Sequence, residues 1–447
     1  MTNGRTQNHP CLDTMNRRQA TAERKQSNVV KIATSSISIW NMIPCRMPIG
    51  KYCRWARGDE MDRKRVFENG LSVEVLEHRM HTRTTDVRGE FYRDTTAIIH
   101  SSPFRRLKHK TQVFFAPSND HICTRMEHVL HVASIASAIC RGLGLDTELA
   151  WAIGMGHDLG HTPFGHVGER ILASMMKSKG FTGFEHELNS LRIVDFLADH
   201  GKGMNLTYAV RDGIACHNGE RFEQSVMPQF IEKDLSAMTS RAEAIPATWE
   251  AAVVRFSDQI AYLGRDYEDA CRLSIIDPAS IPAIVVDRLG TTNASIINTL
   301  VNDIIDTSRP ESGISFSDSI FEAVLAMKDF NYRSIYLSPM LEGYSKYFSR
   351  LLTLIVDYLQ GLFDLYGFDE KPYMEEKNML AGGFVLHLKE MHRPYLQHDG
   401  SIDRLIFDYV AGMSDNFCLD CANEILKPDH LNERIEQSIT GKWFDVK

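Results

Sequence analysis

From Glu90 onward, apolar residues recur every three or four positions and few segments alternate with the period of two expected of a half-buried strand, so the pattern predicts an all-α protein. Glu127–Leu143 carries Val129, Leu130, Val132, Ala133, Ile135, Ala136 and Ile139 on helical spacing, then stops at Gly142 and Gly144. Thr147–Gly156 reads as a second, more apolar helix. Pro163 opens a third, because proline suits a first helical turn, and Phe184–His200 is a fourth. Thr248–Leu273 is long enough for about seven turns. Residues 290–330, 335–366 and 401–426 predict further helices, while Tyr373–Leu388 is ambiguous. The chain divides into residues 1–60, a helical core over 61–275, and a helical C-terminal region over 276–447 that packs on that core.

Residues 1–60 differ from the rest. Ten Lys or Arg stand against Asp13, Glu23, Asp59 and Glu60, and apolar periodicity is missing apart from Ile37–Ile43. This stretch reads as a mobile tail or a non-native extension upstream of Met61, and no secretory h-region follows the start. A formal charge of −8 over 447 residues excludes a polycationic nucleic-acid coat but not a local basic patch. The nine cysteines are scattered and odd in number, which fits a reducing compartment. Cys418 and Cys421 form a lone CxxC pair that reads as helix interior. No apolar run reaches membrane-spanning length, and the expected location is cytoplasmic.

The chemistry concentrates in His157-Asp158-Leu159-Gly160-His161-Thr162-Pro163-Phe164-Gly165-His166-Val167-Gly168-Glu169, where three histidines and two carboxylates fall within thirteen residues. Neutral imidazole and carboxylate oxygen are both good ligands for first-row divalent ions. The remaining histidines suit proton transfer near neutral pH. His128 and Asp258 sit on predicted helices and complete an H…HD…D set of two imidazoles and two carboxylates. Such a set leaves coordination positions open for water and substrate. His166 and Glu169 lie three apart and share a helix face, so the carboxylate can orient the imidazole. Arg125 lies one turn before His128, and its fork can pair with phosphate oxygens.

This pattern resembles the HD-domain metallohydrolases, and more closely their deoxyguanosine triphosphate triphosphohydrolase (dGTPase) branch, over about residues 78–425. The resemblance rests on Ile98–Phe114, which includes Arg105-Arg106-Leu107-Lys108-His109-Lys110, on Thr124–His128, and on the HDLGHTPFGHVGE run. Phe184-Glu185-His186, Ser190–Val194 and Asp408–Asp415 add to it. It implies an HD-domain helical bundle with a helical C-terminal extension. The implied reaction is metal-dependent hydrolysis of a dNTP, dGTP first, to deoxynucleoside and inorganic triphosphate. His128, His157, Asp158 and Asp258 would be the ligands of a Mn, Mg, Fe, Ni, Co or Zn ion. His166 is implied as the catalytic histidine with Glu169 as its partner, and His161 and His186 as further active-site histidines. Gln112, Arg125, Tyr262 and Asp266 are the implied substrate-binding residues. A ring at Tyr262 beside C2′ would disfavour ribonucleotides. The resemblance also implies a homo-oligomer, often a hexamer, with dNTPs or single-stranded DNA as effectors.

The chain departs from the branch at Cys216, where lysine is frequent, and at Glu187 and Asn189; the ligand set is untouched. Two other readings stay open. One is a different HD phosphohydrolase, such as a nucleotidase or phosphodiesterase. The other is a non-catalytic nucleotide- or nucleic-acid-binding HD protein, against which the His166–Glu169 couple argues, since a binder needs no proton relay.

Overall fold

A computed structural model describes residues 66–115, 119–219, 221–398 and 401–426. The expectations for residues 1–60 and for the end of the C-terminal region lie outside them. Helices of seven or more residues are numbered in chain order. They are α1 Glu90–His100, α2 Arg125–Leu143, α3 Thr147–Gly156, α4 Gly165–Ser178, α5 His186–Arg192, α6 Tyr208–Cys216, α7 Trp249–Arg272, α8 Asn293–Thr307, α9 Asp318–Asn331, α10 Pro339–Tyr366, α11 Met379–His398, α12 Ile402–Ala411 and α13 Asp415–Leu426. The sheet among the described residues is one antiparallel pair, Ser225–Val226 against Ile314–Ser315. The all-α expectation holds. No described helix is long and apolar enough to cross a membrane.

Each central helix begins where its sequence supplies a cap. Thr124 and Glu127 form a capping box at the start of α2. Asp146 accepts from the backbone N–H groups of Glu148 and Leu149 at the start of α3. Thr248 accepts from Ala251 N at the start of α7. Helix α3 is buried over Leu149–Ala150 and Ala152–Gly156 and forms the centre of the first core with α2, α6, α7 and α8. Gly154 lets α2 and α3 approach closely, because a methyl group there would sit 2.7 Å from Ala133 Cα. This contact brings the end of α3 against the first turns of α2.

A second core joins α4 to the C-terminal helices. Phe164, Leu172, Met176 and Phe184 pack with Leu352, Ile355, Phe384, Leu405 and Val410. At about 25 cal/mol per Å² of apolar surface, side chains of this size each gain roughly 1.5–3 kcal/mol on burial. The C-terminal helices are thus bound to the helix that carries His166.

Several predicted boundaries move. Helix α4 starts at Gly165, two residues after Pro163, because Phe164 adopts a left-handed conformation (φ 64°) and its N–H donates to Asp415 Oδ1 at 2.9 Å. The fourth predicted helix shortens to α5, with a π-helical turn at Ile193–Leu197. The segment 290–330 is interrupted between Thr307 and Asp318 by the turn leading into Ile314–Ser315. The segment 401–426 breaks at Gly412–Ser414. The ambiguous Tyr373–Leu388 stretch is helical on both sides of Lys377, whose φ of 54° breaks it.

Candidate metal centre and active site

The end of α3 builds the first side of the site. His157 caps the helix, and its Nδ1 donates to the carbonyl of Gly154 one turn earlier, at 2.7 Å. That bond fixes the tautomer and leaves the Nε2 lone pair directed inward. Nε2 is buried and has no hydrogen-bond partner among the described residues. Burial pulls the His157 pKa down to about 4, so the imidazole is neutral.

Three more groups converge on this lone pair. Asp158 Oδ1 lies 3.5 Å from it and Asp258 Oδ1, from α7, 3.9 Å. His128 Nε2, from the first turn of α2, lies 2.9 Å from Asp258 Oδ1 and 3.7 Å from Asp158 Oδ2. An ion with bonds of about 2.1 Å keeps neighbouring donor atoms roughly 3.0–3.4 Å apart, close to this spread. An orphaned, neutral imidazole nitrogen facing two carboxylates is the donor set that a divalent ion requires, so these residues fit one. Burial pushes both carboxyls toward protonation, but their neighbours prevail. His161, His157 and Arg125 hold Asp158 well below the usual carboxylate range, and His128 holds Asp258 at about 2.

A second cluster adjoins the first. Ligand atoms of His161, His166, Glu169 and His186 lie within 4.8 Å of one another. Glu169 Oε2 is 3.3 Å from His166 Nδ1 and 3.1 Å from His186 Nδ1, while Oε1 accepts from the His186 backbone N–H at 3.1 Å. The rings of His161 and His186 stack with centroids 3.9 Å apart. Burial alone would lower the His186 pKa, yet Glu187 and Glu169 carry it up to about 10. His161 goes the other way: burial and the Arg125 charge hold it well below its ordinary value. His166 is the exposed member, its side chain 42% accessible.

The loop between the clusters is clamped from both sides. Ser190 of α5 donates to His157 O at 2.6 Å and accepts from Gly160 N at 2.8 Å, and Asn189 Nδ2 donates to Gly160 O at 2.8 Å. A side chain at Gly160 would meet α5 backbone, with His186 O at 2.5 Å. From the opposite side the buried Lys110 Nζ donates to the carbonyls of His161 and Ala411. Asp415, the first residue of α13, accepts from Thr111 N and from Phe164 N, both at 2.9 Å. One carboxylate thereby ties down the segments that present Gln112 and His166.

Eleven of the twelve expected site residues lie in the two clusters or line a cavity of about 90 Å³ beside them. That cavity is lined by Gln112, Arg125, His128, Asp158, His161, His166, His186, Asp258 and Tyr262, with Gly219 and Tyr336. His157 and Glu169 stand behind this lining, in the first and second clusters. Two side chains are placed otherwise than expected. Arg125 is 1% exposed, and its NH1 donates to Asp158 Oδ2 at 2.5 Å while its other nitrogens reach the carbonyls of Thr111 and Gln112. Its fork is committed to the Asp158 carboxylate rather than free for phosphate. Asp266 does not line the cavity; Tyr336 stands in front of it and donates to its Oδ2 at 2.5 Å, and burial raises its pKa to about 7. Of the basic run 105–110, Lys110 braces the site from behind, whereas Arg105 and Lys108 face solvent.

Three side chains beside the clusters were not among the expected site residues. His217 caps α6 as His157 caps α3, with Nδ1 donating to Ile214 O at 2.7 Å and Nε2 lying 3.3 Å from His186 Nε2. An apolar helix ending in His is the shared signal. Glu187 is buried 3.4 Å from His186 Nδ1 and is paired with Arg241 at 3.1 Å. Tyr336 comes from the distant C-terminal region, and no local pattern could have linked it to Asp266.

With His and Asp donors from α2, α3 and α7 gathered beside a histidine–carboxylate relay, the fold and site define an HD-type phosphohydrolase. The HD domain family matches residues 125–263, and the phosphohydrolase-associated domain matches residues 314–424. A deoxyguanosinetriphosphate triphosphohydrolase-like protein of Caldanaerobacter subterraneus subsp. tengcongensis is 35% identical over 77% of this chain and 86% of its own length. One of Desulfatibacillum aliphaticivorans is 34% identical over 76% of this chain and 89% of its own. A solved structure of a hypothetical protein from Aquifex aeolicus is 20% identical, covers 78% of this chain and 72% of that one, and has a TM-score of 0.34, too low to add to the argument. The chain belongs to the dGTP triphosphohydrolase-like family of HD-domain proteins.

Proposed function

We propose that this chain hydrolyses a deoxynucleoside triphosphate, dGTP first among the candidates, to the deoxynucleoside and inorganic triphosphate. The observation that carries the reading is the buried, partnerless Nε2 of His157 facing Asp158, Asp258 and His128. These four residues would hold a divalent ion, which when bound supplies a Lewis acid for an α-phosphate oxygen and the attacking water. His166, at the accessible edge of the cavity and oriented by Glu169, is the group in place to give a proton to the leaving 5′ oxygen. Arg125 acts as a positioning residue that holds the Asp158 carboxylate in its ligand orientation. Gln112 Oε1, buried without a partner, can accept from a sugar hydroxyl or a base N–H. Tyr262 and Tyr336 form the wall a deoxyribose would meet.

The enclosed volume of about 90 Å³ equals that of about three waters at ~30 Å³ each. It suffices for an ion and one phosphoryl group. Sugar and base therefore extend outward, and the two tyrosine rings are the parts that must turn to admit them. The test is to incubate metal-analysed protein with each dNTP and identify the products. Release of inorganic triphosphate is expected; release of phosphate or pyrophosphate instead would refute the reading. The His166→Ala variant is expected to lose turnover while keeping its metal content, and loss of metal there would remove His166 from its assigned role.

A further inference from the structure

Outside the catalytic cavity, we propose a second binding site in which Arg106 receives the phosphate group of a small phosphorylated molecule. The cavity has a volume of about 1180 Å³ and lies between the segment after α1 and the C-terminal helices α11 and α12. It shares no lining residue with the catalytic cavity, so the proposal stands or falls independently of the function argued above.

Arg106 is the reason to expect an anion. Its Nε is buried without a hydrogen-bond partner, and its guanidinium makes no hydrogen bond or ion pair with any described residue. Withdrawing part of a guanidinium from water without an acid costs free energy, which an anionic ligand at that point would offset. The buried acid of the same wall, Asp408, is already saturated: Arg192 and Arg404 pair with it, and Tyr395 donates to it. His387 offers a second orphan, since its Nε2 is likewise buried and partnerless. Burial lowers its pKa to about 4, which leaves it a neutral imidazole able to donate one hydrogen bond.

The mouth and the remaining walls narrow the ligand. Arg83 stands at the opening, exposed and without an ion pair among the described residues. Of the acids there, Asp199 pairs with Lys202 at 3.6 Å, and Glu390 lies 3.1 Å from His200 Nδ1. A planar fork in the interior and a second cation at the entrance match the bidentate recognition of phosphate. Tyr409 and Phe417 give an apolar wall for the rest of the molecule. The volume exceeds the ~300–1,000 Å³ typical of small-molecule sites, so an organic phosphate fits within it. A single-stranded nucleic acid would call for a continuous basic track with stacked aromatics, whereas here acids alternate with cations around the mouth.

The test is a calorimetric titration of the full-length, metal-loaded protein with inorganic pyrophosphate. Wild type is expected to show a site that Arg106→Met weakens at least tenfold, that Arg106→Lys weakens less, and that His166→Ala leaves unchanged. Because Arg106→Met removes an unpaired, partly desolvated charge, its ligand-free melting temperature is expected to equal or exceed that of wild type. This separates lost binding from lost folding. Superimposable titrations of wild type and Arg106→Met would overturn the proposal. So would binding of a single-stranded oligonucleotide without any of pyrophosphate, which would assign the cavity to nucleic acid instead.

Discussion

Gly160→Ala tests how the His157–His161 loop is held. A methyl group at this position would lie 2.5 Å from His186 O and 2.6 Å from Asn189 C, and would run into Ser190 N. Ordinary contact begins near 3.4 Å, so the overlap is at least 0.9 Å, larger still at Ser190 N, and every obstructing atom is backbone. No rotamer change relieves it; helix α5 must withdraw by about that distance. The displacement would strain or break the bonds from Gly160 N to Ser190 Oγ and from Asn189 Nδ2 to Gly160 O, both 2.8 Å. Two buried hydrogen bonds at about 1 kcal/mol each, with overpacking at about 1–3 kcal/mol, give an expected loss of about 3–5 kcal/mol. That is a large fraction of the ~5–15 kcal/mol that keeps a typical domain folded. Urea unfolding followed by circular dichroism measures it. Helix α5 also carries His186, so residual turnover should fall further than the folded fraction does. An unfolding free energy within about 0.5 kcal/mol of wild type would show that the close approach is not a constraint.

Other outcomes follow from the same geometry. Glu169→Gln keeps shape but removes the charge shared by His166 and His186; losing charge-assisted bonding worth ~1.5–3 kcal/mol should lower kcat about 10–10²-fold with metal content unchanged by elemental analysis. His157→Ala should abolish stoichiometric metal, and full metal retention would exclude it as a ligand. Tyr262→Ala should relax discrimination between dGTP and GTP, and an unchanged ratio would reject its role as a wall. Burial lowers the Lys110 pKa to about 7, below its unfolded value, so between these two values the unfolded state binds more protons and stability rises with pH. From pH 7 to 9 wild type should therefore gain about 1–2 kcal/mol on Lys110→Met in denaturant melts. Parallel curves would mean that the ammonium stays charged in the fold.

Helix identity was legible because α2, α3 and α7 each bury a continuous apolar stripe, and their caps at Thr124, Asp146 and Thr248 are short-range signals. Boundaries decided by tertiary contact were not legible. The start of α4 depends on Asp415, about 250 residues away, drawing Phe164 N out of the helix, and nothing near Pro163 announces this. The candidate metal set was readable because its residue types are rare in this density, whereas the bearing of a side chain was not. Arg125 looked free in the sequence, since its partner Asp158 becomes a neighbour only once Gly154 has let two helices touch. Asp266 looked open for the same reason, until Tyr336 arrived from the C-terminal region. His217 shows the opposite failure: its signal was local and matched that of His157, but no aspartate follows it.

The ties made by Lys110 and Asp415 bear on how such a chain can be cut, permuted or recombined. Because Lys110 Nζ, which holds the carbonyl of His161, and the amides of Thr111 and Phe164 find partners beyond position 410, the catalytic half is not a self-sufficient module. A truncated fragment would expose those groups to water just where its imidazoles need fixed bearings. Swapping in the tail of a distant relative would succeed only if the newcomer brought an acid and a backbone oxygen to the same two points, so the two halves of the gene must change together or not at all.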